Sequence, residues 1–516
     1  MPSTDVVFAL GADDESESVI ARLGERFPIR RKSGGPGVRT FFDTFDWRLH
    51  RHGMVLCAVQ PGSGPRAGRF GLEVGAGGRP CRLRTRHLDF ARNLPPGPIR
   101  AALLPLVGPR RLLPRAEVAG EETVLDLLDR RRRTVARIRL LAGAVRSPAA
   151  GDESRPLPPL LAIAAGRRRK AVAGIERLCG DELGLARLDG PLTTVLYRIL
   201  GLEPGRDPSQ LAVTLDPAAP ASGALRTLLG ALRAVVLANA EGVAGDLDPE
   251  FLHDFRVAVR RARSILGQLK QVLPAVVVNR LAPELTWLGR QTGPLRDLDV
   301  FLAWIHDQAG APAGDLPPDL VPLLAHLHER RQIELHSLRR TLDSSRFRDL
   351  LRTWGDVAAG EVGDGGAALR ASWPVREVVS ARVRRVHARF IEQGRQIGPA
   401  SSPGELHRLR IRGKKLRYLL DGFRSLYDAE AIAELIRHMK RLQDALGELH
   451  DSGVQAERLE AYLHYRAGEG AAIGTAPNVE GLIDRLRQRG REQREELAAQ
   501  FAAFDHPATA ALFLGL

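Results

Sequence analysis

A duplicated segment limits the possible folds of this chain more than any other feature of its sequence. The stretch "HDFRVAVRRAR" at residues 253–263 is followed 154 residues later by "HRLRIRGKKLR" at residues 407–417. The same shift relates "LTWLGRQTGPLRDLDV" at residues 285–300 to "MKRLQDALGELHDSGV" at residues 439–454. Similarity at one fixed shift across two successive segments indicates that a structural unit has been duplicated.

Both copies of the first segment have the period of a two-faced α-helix. At 100° per residue, the basic residues of the first copy fall within an arc of about 80°, and residues such as Phe255, Val259 and Ile265 fill the opposite side. The second copy carries basic residues at the same offsets. Two amphipathic helices with equivalent basic stripes are therefore predicted. The stripes are His253, Arg256, Arg260 and Arg263 in the first copy, and His407, Arg410, Lys414 and Arg417 in the second.

Further helical segments surround the two copies. The period of apolar residues predicts a helix before each copy, at 225–241 and 376–394, and another after each copy, at 323–342 and 482–501. Four helices per half is the simplest count. The pattern therefore predicts two four-helix bundles that are related by an approximate two-fold axis.

The chain is predicted to be an α+β protein with more than one domain. Residues 1–204 contain short alternating stretches such as "VVFAL" and "RFGLEV" between turn-rich segments, which predicts an antiparallel β-rich domain. Residues 205–221 are rich in Pro, Ala and Gly and are predicted to be a linker. Residues 222–516 are predicted to be all-α, with repeat halves at about 222–354 and 372–516.

The basic stripes favour an anionic partner over an ordinary solvated helix face, although that alternative stays open. Solvated faces usually mix charges, whereas these stripes contain no acid and have like-charge repulsion of about 0.2–0.5 kcal/mol per pair. A bound polyanion would offset this repulsion. The helices before each copy also carry cations on one face, which align at a shift of 156. The predicted binding surface therefore also includes Arg226, Arg233, Arg382, Arg385 and Arg389 on those helices, and Arg261 and Lys415 within the copies.

The histidines and two acidic residues each have two interpretations. A single histidine at the start of a helix is more often a structural hydrogen-bonding residue, but two at equivalent repeat positions beside arginines favour phosphate contact. Asp297 and Asp451, which the repeat aligns, either orient a basic side chain or cap a helix end. A dimetal bundle would need inward carboxylates and Glu-x-x-His pairs, which the stripes lack. No metal and no cofactor are therefore predicted.

The composition favours an anionic partner and a reducing compartment. Lys and Arg number 76 against 61 Asp and Glu, and the resulting net charge of +15 attracts polyanions. Aromatic residues make up only 5% of the chain, which argues against recognition by base stacking. Three scattered cysteines are too few for a disulfide framework, and no signal peptide or membrane span is indicated. A cytoplasmic protein that does not enter a membrane is therefore predicted.

The region 222–516 resembles the conserved histidine α-helical domain, known as the CHAD domain. The likeness rests on "HDFRVAVRRARSIL", "LRDLDVFL", "LHRLRIRGKKLRYLL" and "LGELHDSGV". The resemblance implies a double four-helix bundle with a basic central surface that binds inorganic polyphosphate and can place the protein on polyphosphate granules. It assigns phosphate contact to the residues of the two basic stripes.

Residues 1–204 resemble a diverged CYTH domain, the triphosphate-tunnel fold. The segment "TFFDTFDWRLHRHGMVLCAV" at 40–59 is similar to that family's aromatic-Asp-Thr strand, and "RRTVARIRL" resembles a later strand. The family's Glu-x-Glu-x-Lys motif should fall in "DVVFALG", which has neither Glu nor Lys. Because hydrolysis in such a tunnel needs carboxylates that hold a divalent metal, no enzymatic activity is predicted. Arg82, Arg84 and Arg86 alternate on "CRLRTR" and form either a residual phosphate-binding wall or a charged sheet edge.

Three functions are compatible with these observations. The leading hypothesis is a polyphosphate-binding protein without catalytic activity. The alternative is a metal-dependent triphosphatase or polyphosphate hydrolase in the amino-terminal domain, with the helical domain holding the substrate. Specific nucleic-acid binding is disfavoured because the sequence has no recognisable groove-reading motif or aromatic platform.

Overall fold

The computed structural model divides into two compact units, Met1–Gln210 and Leu211–Leu516. The first is built around a β-sheet and the second is helical, which confirms the predicted α+β class. The structure describes residues 6–11, 16–61, 70–75, 81–85, 88–148, 151, 153–164, 169–309, 317–361, 368–398, 400–468 and 476–516.

The described residues of the amino-terminal unit form a nine-stranded sheet in which all neighbouring strands are antiparallel. The strand order is β5-β4-β3-β2-β6-β7-β8-β1-β9. The predicted antiparallel β-rich domain is thus confirmed, whereas a closed tunnel stays a prediction. The strands are β1 (Val6–Ala9), β2 (Ile29–Asp43), β3 (Val55–Pro61), β4 (Phe70–Gly75), β5 (Cys81–Thr85), β6 (Leu113–Leu128), β7 (Thr134–Arg146), β8 (Ser154–Ala164) and β9 (Ala186–Leu188).

Both faces of the central strands are covered. On β7, Ile138 belongs to one apolar core and Leu141 to another, because successive side chains of a strand point to opposite faces. The strands β6 and β7 approach most closely at Gly120 and Gly143, where a Cβ on either residue would lie 2.8 Å from the partner's Cα. The helices of this unit are α1 (Ser16–Arg26), α2 (Arg48–Arg51), α3 (Pro98–Val107), α4 (Arg169–Arg177) and α5 (Leu192–Ile199).

The aromatic-Asp-Thr segment forms a buried turn between β2 and α2. Asp43 accepts hydrogen bonds from the backbone N–H groups of Thr44, Leu49 and His50 at 2.7–2.9 Å. Burial raises the pKa of Asp43 to about 6, although these hydrogen bonds act in the opposite direction. Arg115 donates to the carbonyl of Thr44. These contacts give the motif a structural role, and the likeness to a CYTH domain stays a prediction. The side chains of Glu73, Arg82, Arg84 and Arg86 lie outside the described residues.

The carboxy-terminal unit is built from helices. A shared apolar core, which includes Phe301, Leu323, Leu459 and Leu482, joins its two halves. The helices are α6 (Ala221–Ala244), α7 (Pro249–Gln268), α8 (Ala275–Gln291), α9 (Gly293–Ala309), α10 (Leu320–Leu342), α11 (Ser345–Ala359), α12 (Val375–Gly394), α13 (Pro403–Gly422), α14 (Ala429–Gly468), α15 (Pro477–Phe504) and α16 (Pro507–Leu514).

Helix boundaries recur at the shift of the sequence repeat. The helices α6, α7 and α8 begin 154 residues before α12, α13 and α14. The segments that precede α6 and α12 also pair with each other, because Ala221 N–H donates to Trp373 C=O and Val375 N–H donates to Ala219 C=O, both at 2.9 Å. Each of these bonds becomes the other when the shift is applied to its residues. The two-fold relation of the whole halves nevertheless stays a prediction.

The predicted count of four helices per half is too low. Among the described residues, the first half contains α6–α11 and the second contains α12–α16. The break between α8 and α9 has a local cause, since Pro294 lacks the N–H that would continue the helix and its ring opposes the carbonyl four residues earlier. The aligned residue of the second half is Glu448, and α14 is uninterrupted there.

Part of the predicted linker belongs to the helical unit. Leu215 is buried, and its backbone N–H donates to Ser425 Oγ at 3.1 Å. Pro217 C=O accepts a hydrogen bond from Arg376 N–H. These contacts could not be predicted from the Pro- and Ala-rich composition, because backbone hydrogen bonds of this kind leave no periodic pattern in the sequence.

One of the described helices, α6, is long and apolar enough to cross a membrane by length and composition. In the structure α6 is a core helix, with Leu225, Leu228 and Leu232 buried in the helical unit.

Candidate polyanion-binding site

The amino-terminal ends of α7 and α13 are capped, and the caps fix the residues at which these helices begin. Asp248 accepts hydrogen bonds from the backbone N–H groups of Glu250 and Phe251 before α7. Ser402 and Glu405 form a capping box at the start of α13, where each side chain accepts from the backbone N–H of the other residue. Proline occupies the first turn of both helices, as is common at helix starts.

Apolar residues hold the predicted faces in place. Phe255 and Ile265 of α7 are fully buried, as are Leu409 and Leu416 of α13. The opposite faces carry the cations, as predicted. However, most of these cations are half-buried, since Arg256, Arg260, Arg410, Lys414 and Arg417 all have intermediate exposure. These side chains are thus partly shielded from solvent, and charge interactions between them are screened less than on a fully exposed helix face.

The two motif helices contact each other directly. Gln268 Nε2 of α7 donates to the carbonyl of Lys415 at 2.9 Å, and Asp421 of α13 lies 3.3 Å from Arg261. Asp421 also lies 3.7 Å from Arg417 of its own helix. This carboxylate therefore partly neutralises Arg261 and Arg417, so these two cations are less available to a ligand than the sequence predicted.

Lys414 is surrounded mainly by positive charge. Burial lowers its pKa to about 8, and Arg410, Arg260 and Arg417 lower it further, while Asp451 opposes the change. Arg260 comes from α7 and the others lie on the second half, so the two stripes share one electrostatic field. The four neighbouring cations outnumber the two carboxylates that pair with them, Asp451 and Asp421, so this surface gains from binding an anion.

Arg256 is the first arginine of the first stripe. Its Nη1 donates to the carbonyl of Gly289 at 3.1 Å and to Thr292 Oγ1 at 2.9 Å. Burial lowers the pKa of Arg256 to about 10, and neighbouring Arg260 contributes in the same direction. Two hydrogen bonds therefore hold this guanidinium in place before any ligand binds.

The histidines lie beside a second basic residue at each end of the site. Arg296 Nη2 lies 3.0 Å from Nδ1 of His253, and the ring of His450 lies 5.2 Å from that of His407. Burial lowers the pKa of His450, as do the nearby cations of Arg410 and Lys414. Arg296 and His450 were missed by the sequence interpretation, although the shift of 154 aligns them.

The aligned acidic residues orient basic side chains. Asp451 lies 3.3 Å from Arg410, and Asp297 lies 3.4 Å from Arg458. Neither aspartate occupies a helix N-cap, since Asp451 lies in the middle of α14 and Asp297 is inside α9. The interpretation as helix-end caps was therefore wrong.

Comparison with known proteins identifies the helical region. Residues 227–460 match the model of the CHAD domain family. The chain contains a CHAD domain.

Two solved structures are similar to the chain. One is the CHAD domain from the plant Ricinus communis, with 25% identity over 60% of this chain and 96% of that chain and a TM-score of 0.45. The other is PptA from Streptomyces chartreusis, with 15% identity over 55% of this chain and 99% of that chain and a TM-score of 0.41. No curated protein matches the chain.

The remaining predicted cations of the CHAD domain lie elsewhere. Arg233 Nε donates to the carbonyl of Leu351 at 2.8 Å, and Arg226 lies next to Gly360, so both face α11. The predicted shift of 156 was wrong, because α6 and α12 begin 154 residues apart and Arg226 then aligns with Ser380. Arg382, Arg385 and Arg389 share one face of α12. Burial lowers the pKa of Arg382, and the charges of Arg385 and Arg389 lower it further.

No group of three or more His, Cys, Asp or Glu side chains that could hold a metal ion occurs in the part of the chain that the structure describes.

The position of Lys414 predicts that anion binding depends on pH. A bound polyanion would raise the lowered pKa of Lys414, so binding takes up a proton wherever the free lysine is neutral. Affinity should be highest below pH 8 and should fall between that pH and the ordinary lysine pKa of about 10.4. Calorimetric titration with polyphosphate across this range, at constant ionic strength, measures the change. Lys414→Arg keeps its charge and should lose most of the decline, and an equal decline in that variant would contradict the assignment.

Proposed function

We propose that the CHAD domain of this chain binds inorganic polyphosphate along the two basic stripes, without catalysing a reaction there. The observation that carries the proposal is the cluster around Lys414, where the charges of Arg260, Arg410 and Arg417 lower the pKa of this lysine. A repeating anion relieves this repulsion and gains charge-assisted hydrogen bonds from guanidinium and ammonium groups.

A linear ligand fits the arrangement of the stripes better than a compact one. Each stripe covers about three helical turns, or about 15 Å, and the two helices that carry them contact each other. A polyphosphate chain carries charge along its whole length and can follow such a surface. The cytoplasm and the surface of polyphosphate granules are the locations that this proposal implies.

Nucleic acid is the less favoured polyanion. Binding of single strands commonly relies on aromatic platforms, and the central residues of this site are arginine, lysine, histidine and aspartate. Competition between polyphosphate and duplex DNA at equal phosphate concentration distinguishes the two ligands. A preference for DNA would contradict the proposal.

The isolated fragment 211–516 should fold and retain polyphosphate binding. All residues of the two stripes lie in this compact unit, and Leu215 and Pro217 contribute to its structure. Its affinity for long-chain polyphosphate, measured over a salt series, should lie within about threefold of that of the full chain, and log affinity should fall linearly with log salt. Loss of binding in a fragment that melts cooperatively would place the ligand in the amino-terminal unit.

The amino-terminal unit is proposed not to hydrolyse triphosphates. The stretch "DVVFALG" has neither the two glutamates nor the lysine of the Glu-x-Glu-x-Lys motif that serves metal-dependent hydrolysis, and β1 within it contributes Val7 and Phe8 to two apolar cores. Phosphate release from tripolyphosphate with Mg²⁺ or Mn²⁺ should equal the background rate. Turnover that Glu73→Gln abolishes would instead support the alternative function, a metal-dependent triphosphatase in this unit.

A further inference from the structure

A separate cavity lies at the carboxyl end of α7. Its volume is about 340 Å³, near the small end of the range for ligand pockets. Gln268 and Lys270 line one side, Arg382 and Arg385 of α12 line another, and Arg370 lines it from the segment before α12. Gln268 fixes the first side, because its Nε2 donates to Ser264 Oγ and to the carbonyl of Lys415.

The charge of this cavity is strongly unbalanced. Among its described lining residues, four side chains are cationic and none is acidic. Within the part of the chain that the structure describes, no carboxylate forms an ion pair with Lys270, Arg370, Arg382 or Arg385. The cluster around Asp421 differs in this respect, because a carboxylate there already neutralises two arginines.

Two of the three guanidinium groups at this cavity have unsatisfied donors. The Nε atoms of Arg370 and Arg382 are buried and have no hydrogen-bond partner. Burial of a charged donor without an acceptor is costly, and the nearby charge of Arg385 adds repulsion. A ligand that accepts hydrogen bonds and carries negative charge would remove both penalties.

The helix dipole offers another explanation, since cations are favoured near the carboxyl end of a helix such as α7. If that explanation held, the cations would donate hydrogen bonds to the last carbonyl groups of α7. None of the hydrogen bonds of the described residues joins Arg382 or Lys270 to these carbonyls. The dipole alone therefore does not account for cations on three separate segments around one cavity.

We propose that this cavity binds a condensed phosphate of two or three phosphoryl groups, either as a free anion or as the end of a polyphosphate chain. The four cations match the high charge of such a group, and guanidinium groups bind phosphoryl oxygens with two hydrogen bonds. The volume limits the ligand to a short one. The proposal rests on the cavity alone and not on the function of the basic stripes.

Calorimetric titration of the full chain with pyrophosphate tests the proposal. Saturable binding at one site is expected, and Arg382→Gln and Arg370→Gln should each weaken it at least tenfold. Arg384→Gln is the matched control, because it removes the same charge from α12 at a residue outside the cavity, and it should change the affinity less than twofold. Thermal melts should show that Arg382→Gln leaves the fold intact, since its Nε has no partner to lose.

Two further arms distinguish the possible results. Arg260→Glu in the basic stripe should change pyrophosphate affinity less than twofold, whatever it does to long-chain binding. Long polyphosphate with amidated ends, compared with unmodified chains, distinguishes a chain end from a free anion as the ligand of the cavity. If the cavity holds a chain end, Arg382→Gln weakens binding of unmodified chains only, and if it holds a free anion, neither chain is affected. Absence of pyrophosphate binding, or equal effects of Arg382→Gln and Arg384→Gln, would overturn the proposal.

Discussion

Replacing Arg260 and Lys414 together by glutamate should nearly abolish polyphosphate binding by the CHAD domain. Each substitution removes an attractive contact and introduces a repulsive one, at a cost of about 1–3 kcal/mol, or about 5- to 150-fold in affinity. The two losses should not be independent, because a chain repelled at one stripe loses the high local concentration that keeps it on the other. The slope of log affinity against log salt should become shallower with each substitution.

The measurement compares the wild type, both single variants and the double variant at three or more salt concentrations. Arg408→Glu is the matched control, since Arg408 is exposed on α13 outside the basic stripe and undergoes the same change of charge. Thermal stability should not fall in the Lys414 variant, because a buried cation is removed from among other cations. Equal affinities and salt slopes in all five folded proteins would show that the stripes are only solvated helix faces.

Replacing Arg331 by methionine should cause the largest loss of stability in the helical unit. Arg331 of α10 donates to both carboxylate oxygens of Asp246 at 2.6 and 2.7 Å, and its Nε donates to Asp299 at 2.7 Å. Asp299 is only 8% exposed, so the variant leaves a buried carboxylate without its partner. Breaking a buried ion pair in this way costs about 3–5 kcal/mol of unfolding free energy.

The loss of stability in Arg331→Met should become larger as pH rises. Burial already raises the pKa of Asp299, and Arg331 opposes that change. Without Arg331, the folded variant binds a proton more tightly than the unfolded chain, so its stability falls as pH rises through the pKa of the folded state. Urea unfolding of Arg331→Met should therefore approach the wild type at acid pH and diverge from it near neutrality. Arg330→Met on the exposed side of α10 is the control, and a loss of stability that does not vary with pH would contradict the role of Asp299.

The basic stripes could be predicted because they depend on one helix at a time. The period of residues 253–263 determines which side chains share a face, and the repeat shows the same face again. Arg296, His450 and Asp421 could not be found in this way, because their place in the site depends on how other helices pack against α7 and α13.

Two errors of prediction also have physical causes. Arg226 was placed in the binding surface because alignment of cations favoured a shift of 156, whereas the paired segments before α6 and α12 fix it at 154. The helix break at Pro294 was missed because the repeat aligned it with the continuous helix around Glu448. In both cases similarity between the halves was extended to positions where the two halves differ.

The reciprocal backbone bonds between the starts of α6 and α12 affect how the chain can fold during synthesis. The hydrogen bond from Ala221 to Trp373 and the one from Val375 to Ala219 each require both segments. Neither helix can therefore complete its amino-terminal hydrogen bonds until the later segment has left the ribosome. At translation rates of about 5–20 residues per second, that delay is roughly 10 to 30 s. The apolar helix α6 therefore spends this interval without one of its native neighbours, and this period is when the nascent chain most needs protection from aggregation.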